Sequence, residues 1–411
     1  MVRYEKIDTL RFSELPFSLD WLSSDTYLVG GAVRDALLCR KKEYIDLDFV
    51  IPEFALCTAK KIANHYNAGF VVLDQERQIA RVVFPQGTVD FAQQEGNTLE
   101  KDLQRRDFTI NAIAYNLHTQ TLIDPLNGLE DLKRGIIKMV SSANLEDDPL
   151  RLLRAYRQAA QLNFKIDYET RSTICRLAPL VGKVAAERFQ SELNYLLRNA
   201  LGNYWLAIAW EDHVLEYWLK NITQLSLDKI SHLESTAQIL SQKLAYSFQF
   251  TSEIILTVKL TCLVCPIPEE AELELNKIKY SRNDIRTITT ILRTFSQLKD
   301  VSIDKSLRQQ YFLFQSTGNI FPYLALFALL HKVDLDWIIF LMNRYLDPLD
   351  PVAHPKPLVK GNDLIQCLKI PPSPKIGKLL TELQIAQIEG KITTADEAIQ
   401  LAKNWLILDV L

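Results

Sequence analysis

The segment Ile45-Asp46-Leu47-Asp48-Phe49-Val50-Ile51 constrains this chain more than any other. It is apolar at most positions and stops at Pro52, so it reads as a strand. Strand side chains alternate between faces. Leu47, Phe49 and Ile51 therefore share a face that buries, while Asp46 and Asp48 share the other, their Cα atoms ~7 Å apart. Two carboxylates side by side on such a strand repel each other and resist burial unless a cation sits between them. Oxygen ligands of this kind suit Mg²⁺, which takes one or two carboxylates together with substrate phosphates. Alone, a D-x-D pattern also fits a solvated strand edge.

The neighbouring residues favour the cation. Upstream, Tyr27-Leu28-Val29 runs into Gly30-Gly31 and then into a helix predicted over residues 32–38. Glycines let backbone N–H groups approach a phosphate, and a helix N-terminus favours anions. Arg34 adds a charge-assisted donor. The pattern is neither G-x-G-x-x-G nor a Walker loop, and a structural turn would look the same. Placed shortly before D-x-D, it sets phosphate-binding backbone beside a metal pair, the layout that nucleotidyl transfer needs.

Residues 54–66 have helical apolar spacing, and 70–73, 79–84 and 88–91 read as strands, the last two joined by a turn at Pro85-Gln86-Gly87. An α/β or α+β unit thus covers the first third. From about Asp148 the signal is helical: no proline occurs between Pro179 and Pro266, and Leu, Ile and Ala recur at helical spacing. Prolines then cluster between Pro348 and Pro374, marking a boundary into a short helical tail. Seven of the 13 glycines lie at or before Gly135, consistent with this division. A chain of 411 residues is too long for one core, and two to four packed units are expected.

Hydrophobic residues at 48% and charged residues at 24% exclude disorder, collagen and a disulfide-stapled miniature. The net charge of -3 argues against a basic coat protein, yet residues 151–190 hold eight Lys or Arg against three Asp or Glu. The six cysteines are scattered. Cys262 and Cys265, in an apolar run with no second Cys or His pair, read as small buried hydrophobes rather than a zinc or redox site. Residues 1–10 carry Arg3, Glu5, Lys6 and Asp8 and no signal core. Apolar stretches such as Phe321–Leu330 fall short of the ~20 residues that span a bilayer. A cytoplasmic protein without a membrane segment is expected.

At this point the motifs resemble a known family. Gly30-Gly31-x-Val33-Arg34-Asp35 followed by Asp46-x-Asp48 is similar to the first motif of the class II tRNA nucleotidyltransferases and bacterial poly(A) polymerases. Arg105-Arg106-Asp107-Phe108-Thr109-Ile110-Asn111-Ala112 resembles the second motif, and Asp124-Pro125-Leu126-Asn127-Gly128 with Leu129-Glu130-Asp131-Leu132 the third. Asp148-Pro149-Leu150-Arg151-Leu152-Leu153-Arg154-Ala155-Tyr156-Arg157 resembles the fourth, and Glu187-Arg188-x-x-x-Glu192-Leu193 the fifth. Gly361-Asn362-Asp363-Leu364, Lys375-Ile376-Gly377 and Glu397-Ala398 are similar to the family's tail.

The resemblance implies an α+β head, a polymerase-β-like nucleotidyltransferase palm with a mixed sheet and helices, followed by all-α neck, body and tail domains. The corresponding spans are 1–139, 140–200, 201–345 and 346–411. It implies that Asp46 and Asp48 hold two Mg²⁺ ions, with Asp90 as a third catalytic carboxylate. Gly30, Gly31, Arg34, Arg106 and Asn111 belong to the nucleotide site; Arg106 binds phosphate and Asp107 accepts from a sugar hydroxyl. Asp148, Arg151, Arg154 and Arg157 recur every three residues, each step turning ~60° on a helix. Asp148 and Arg151 would read the base edge, with Arg154 and Arg157 reaching the triphosphate. An Asp accepts from an exocyclic amine and an Arg donates to ring acceptors, which suits cytosine and, with a small shift, adenine. The bland alternative is a solvated basic helix face.

The implied substrates are CTP, possibly ATP, and the acceptor arm and 3′ end of tRNA; no protein partner is expected. CCA-adding members carry a flexible loop before the second motif, and here Asp90-Phe91-Ala92-Gln93-Gln94-Glu95-Gly96-Asn97 leads almost directly into Thr98-Leu99-Glu100, a loop shorter by about ten residues. Members restricted to CC addition are similar in this respect, so addition of two CMP residues is expected first and full CCA addition next. A poly(A) polymerase ranks behind these, because residues 404–411 form no basic tail. A catalytically silent RNA-binding protein of the same fold would have lost an acidic motif residue, and none is lost.

Overall fold

A computed structural model describes the backbone of residues 3–6 and residues 15–40, 44–299 and 306–407. The rest of segment 1–10, and residues 408–411 of the non-basic C-terminus, lie outside the described residues. The chain divides into two compact units, Met1–Tyr217 and Trp218–Leu411.

The first unit is built on one mixed sheet of eight strands: β1 (Arg3–Lys6), β2 (Tyr27–Val29), β3 (Ile45–Ile51), β4 (Gly69–Asp74), β5 (Ile79–Phe84), β6 (Gly87–Gln93), β7 (Ala114–Asn116) and β8 (Thr121–Asp124). Their spatial order is β1-β8-β7-β2-β3-β6-β5-β4. Among the described residues of this sheet, β3 and β6 are the one parallel pair, Asp46 opposite Thr88 and Asp48 opposite Asp90. The alternation expected of β3 holds. Leu47, Phe49 and Ile51 join Val89, Phe91, Ala80 and Val82 in a core closed by Ala55, Ala59 and Ile62 of a helix following β3. With the helix after β2, these are α1 (Gly31–Leu37) and α2 (Ala55–His65).

The opposite face carries Val29, Val50, Ala114 and Ile123, packed against Leu99 and Leu103 of α3 (Leu99–Gln104). Asp46 and Asp48 lie on this second face, by parity with Val50. Thr98 starts α3 by accepting from the Lys101 amide. The third motif builds a joint. Asp124 accepts from the amides of Gly128 and Leu129 at 2.8 and 2.9 Å and so caps α4 (Gly128–Arg134). A Cβ at Gly128 would stand 2.2 Å from the Thr109 carbonyl oxygen, so only glycine fits there.

Among the described residues the unit continues with the helices α5 (Ser142–Asp147), α6 (Leu150–Leu162), α7 (Tyr168–Leu177), α8 (Ala186–Arg198) and α9 (Gly202–Glu211). α6 packs on α8 and α9. Tyr156 donates to Asp212 at 2.7 Å, and Arg171 donates to both Asp212 oxygens at 2.7 and 2.9 Å. These bonds tie α6, α7 and the end of α9 together within the first unit.

The second unit is helical. Ser252–Leu263, Arg282–Lys299 and Phe321–Leu330 pack together. Leu364, Leu379, Leu383 and Ala398 centre a separate core joining Gly361–Leu368, Pro374–Ile388 and Ala395–Ile407. The apolar stretch is longer than expected: Leu307–Leu330 is a 24-residue helical run apolar enough to cross a membrane by length and composition. It is broken at Gly318, whose φ is +50°, and Leu324, Ala325, Leu326 and Ala328 are fully buried, the pattern of core helices. Cys262 and Cys265 are buried as small hydrophobes, and burial pushes the Cys262 thiol up to about 12.

Candidate active site

Asp46 is exposed and Asp48 half-buried. Neither makes a hydrogen bond or ion pair among the described residues. Burial, then the charges of Asp90 and Asp46, push the Asp48 carboxyl up to about 6, with Arg106 acting the other way. Two unsatisfied oxygen ligands on a rigid strand fit Mg²⁺. Among the described residues no cluster of three candidate ligands converges.

Asp90, expected as a third catalytic carboxylate, is held by an arginine. It lies beside Asp48, yet both its oxygens accept from Arg81, at 2.7 Å from Nε and 2.8 Å from Nη2. The reason is register: β5 and β6 form a hairpin in which Arg81 falls opposite Asp90.

Gly30 sits at the turn between β2 and α1. Its φ of +71° and ψ of −138° belong to glycine. A Cβ there would come within 3.4 Å of both Arg106 Nη1 and Asp48 Oδ2. Backbone therefore passes between the Asp48 carboxylate and the Arg106 guanidinium. Arg106 is braced by Asp102 at 3.2 Å, and its Nε is buried without a partner. Gly31 opens α1.

Arg34 lies inside the protein. Its guanidinium is buried, not presented to a phosphate. It donates to Asp35 at 2.9 and 2.8 Å, to Asn111 Oδ1 at 2.8 Å and to Gln158 at 3.3 Å. Asn111, also buried, donates in turn to Asp107 at 2.9 Å and to Gln158 at 3.0 Å. Arg34 and Asn111 thus join α1, the second motif and α6 internally. Arg34→Ala takes a charged donor from the buried Asp35 carboxylate and Asn111 amide oxygen and is expected to cost about 3–5 kcal/mol, lowering the melting temperature by roughly 5–10 °C. An unchanged melt with lost nucleotide binding would restore the ligand role.

The second and fourth motifs converge on one open cavity of about 270 Å³, lined by Arg105, Arg106, Asp107, Asp148, Arg151 and Arg154. Asp107 accepts from the Phe108 amide, Asn111 and Arg154 at 2.8, 2.9 and 3.1 Å. Burial works to raise its carboxyl, but Arg154 and these bonds hold it below the usual range. Much of its acceptor capacity is therefore used inside the protein.

Asp148 precedes α6 rather than lying on it, and accepts from Arg188 at 2.8 and 3.2 Å. Arg151 spends Nη1 on the carbonyls of Arg105 and Asn144, at 2.9 and 3.0 Å, which fixes its plane and leaves Nε and Nη2 for a ligand. Arg154 lines the cavity while bonded to Asp107 and Glu192. Arg157 does not reach it. It pairs with Glu192 at 2.5 Å and Gln161 at 2.9 Å, because the stripe has wound toward α8.

Sequence reasoning missed Arg81, Asp102, Gln158, Arg188 and Glu192 as supports. Asp102 stood four residues before Arg106, a readable helical pairing; Arg188 and Glu192 depend on how α8 packs. The short connection after β6 is pinned. The Gln94 amide donates to the Ile51 carbonyl at 2.8 Å, the Glu95 amide to Asp102 at 3.1 Å, and Arg105 pairs with the Glu95 carboxylate at 3.0 Å.

Similarity to known proteins runs along most of the chain. The family "Poly A polymerase head domain" matches residues 26–138, "RNA and SrmB-binding site of polymerase A" residues 163–225, and tRNA nucleotidyltransferase domain 2 residues 248–402. The CC-adding tRNA nucleotidyltransferase of Synechocystis sp. is 49% identical over 95% of this chain and 96% of its own length. The CCA-adding enzyme of Leuconostoc mesenteroides is 26% identical over 93% of each. Among solved structures, a CCA-adding enzyme in an apo form superposes with a TM-score of 0.72 at 23% identity, covering 93% of this chain and 90% of that one.

Proposed function

This chain belongs to the tRNA nucleotidyltransferase and poly(A) polymerase family, and from that premise we propose that it adds two CMP residues from CTP to the 3′ end of tRNA. The observation that carries the reading is the cavity where Asp148 and Arg151 stand beside Arg106, on the unit that presents Asp46 and Asp48.

The residues divide the work. Asp148 accepts from the amine of cytosine, and Arg151, its plane fixed by two backbone carbonyls, donates to the ring acceptors. Protein side chains thus replace a template strand. Arg106 and the Gly30-Gly31 backbone face the triphosphate, and Arg154 adds positive charge at the cavity wall. Asp46 and Asp48 would hold Mg²⁺, which when bound activates the RNA 3′-hydroxyl and stabilises departing pyrophosphate. No side chain acts as a nucleophile. Catalysis is assigned to residues 1–139, nucleotide choice to 140–200 and the grip on tRNA to the helical body and tail, 201–345 and 346–411. A reducing, cytoplasmic setting belongs to the same reading, since all six cysteines are free.

Restriction to CC rests on the connection after β6. CC-to-A switching needs a pocket that can reshape, and here that connection is short and pinned through Glu95 to Asp102 and Arg105. The relative named CC-adding, 49% identical, supports the same choice. The test offers tRNA lacking its 3′ end with CTP, ATP or both, and reads product length. Two added residues with both nucleotides present are expected; three would make the chain a CCA-adding enzyme, and a long adenosine tract a poly(A) polymerase. No CTP-dependent product at all would leave only an RNA-binding protein.

A further inference from the structure

One row of side chains crosses the sheet on its catalytic face. Arg81 on β5 stands opposite Asp90 on β6, and Asp90 opposite Asp48 on β3. Three carboxylates, Asp46, Asp48 and Asp90, therefore share one patch, yet only two are available. Arg81 grips Asp90 through two parallel hydrogen bonds of 2.7 and 2.8 Å, one to each oxygen. Such a fork is among the stronger pairings a carboxylate makes. The Asp90 side chain is 17% exposed and that of Arg81 39%, so water screens the pair in part, mainly from the arginine side. Both partners sit on paired strands, which leaves little freedom to part them.

We propose that Arg81 is a positioning residue that withholds Asp90 from the divalent cation, so that Asp46 and Asp48 are the protein's only carboxylate ligands. The proposal rests on the reading of Asp46 and Asp48 as the cation-holding pair. For Asp90 to join them it would have to give up both hydrogen bonds and leave a guanidinium unpaired beside a cation. Asp90 instead contributes a negative charge that Arg81 already cancels. The pair adds no net charge to the patch and leaves more of the cation's coordination sphere to water and to phosphate oxygens, as Mg²⁺ prefers.

The test is Mn²⁺ binding to the full-length protein without nucleotide, followed by electron paramagnetic resonance, with water-proton relaxation counting the inner-sphere waters. The decisive variant is the double Arg81→Met/Asp90→Asn, which removes the pair without changing net charge. It is expected to bind Mn²⁺ within about twofold of wild type, with the same number of waters, because neither residue touches the ion. Arg81→Met alone frees Asp90; binding should tighten about tenfold and the ion should lose one water. A double variant weakened tenfold or more would show that Asp90 is a ligand and overturn the proposal while leaving the metal reading intact. An Arg81→Met protein that is folded by circular dichroism yet keeps wild-type affinity and hydration would also overturn it. If Asp46→Asn did not weaken Mn²⁺ binding, the metal reading itself would fall, and the proposal with it.

Discussion

Asp48→Asn is expected to give a folded protein whose nucleotide addition is lower by roughly 10³-fold or more, the several kcal/mol that carboxylate-held cations supply to phosphoryl chemistry. Incorporation of labelled CMP into tRNA lacking its 3′ end measures it. The same variant carries a second signature. Without metal, burial and then Asp90 and Asp46 push the wild-type Asp48 carboxyl up to about 6, above its ordinary 3.8. A raised acid means that the folded state holds the proton more tightly than the unfolded one. Its favourable contribution is therefore complete below the unfolded value near 3.8 and lost as pH rises through about 6. At pH 7.5 the ionised carboxylate penalises the metal-free fold by on the order of 1–3 kcal/mol. The neutral amide of Asp48→Asn escapes this penalty. The variant should melt higher than wild type at pH 7.5 without Mg²⁺, and the advantage should vanish near pH 4. An inactive variant that melts lower at pH 7.5 would point to lost packing instead, and an active one would refute the metal assignment outright.

That opposition between stability and activity bears on what could be read from the residues. The strand at Ile45–Ile51, its alternating faces and the glycine turn before it were legible because each is decided within a few residues. The row Arg81–Asp90–Asp48 was half legible. Once β5 and β6 turn at Pro85-Gln86, counting back three residues on either side places Arg81 against Asp90, a step the motif-based assignment of Asp90 did not take. Arg157 shows a different limit. A three-residue spacing drifts ~60° per step on a helix, so its departure from the cavity was implicit. Its partner, Glu192 on α8, depends on tertiary packing alone. Arg34 and Asn111 stand 77 residues apart and meet only because the short helical turn Thr109–Asn111 packs on α1. Nothing local distinguishes an arginine that binds phosphate from one that organises the wall behind it.

Asp148→Ala is expected to lower the rate of CMP addition and to cut the preference for CTP over UTP by about 10–100-fold, the worth of one buried, directional hydrogen bond in discrimination. Cytosine offers an amine where uracil offers a carbonyl oxygen. The Asp148 carboxylate can only accept, so it rewards the first and repels the second. Arg188 holds that carboxylate at 2.8 and 3.2 Å. Four lone-pair sites are available on the two oxygens, so the clasp orients Asp148 without exhausting it. Alanine removes both reward and repulsion, and the two pyrimidines should approach parity. Asp148→Asn is the sharper variant. Its amide can turn an N–H toward the carbonyl of uracil, so preference should move past parity toward UTP, while Arg151, fixed by the carbonyls of Arg105 and Asn144, keeps the ring in place. Competition between labelled CTP and UTP for the first added residue reads all three proteins in one assay. If the CTP preference of Asp148→Ala equalled that of wild type, Asp148 would not be reading the base. The basic wall of Arg105, Arg106, Arg151 and Arg154 would then be a triphosphate site alone, and the base would have to be chosen elsewhere.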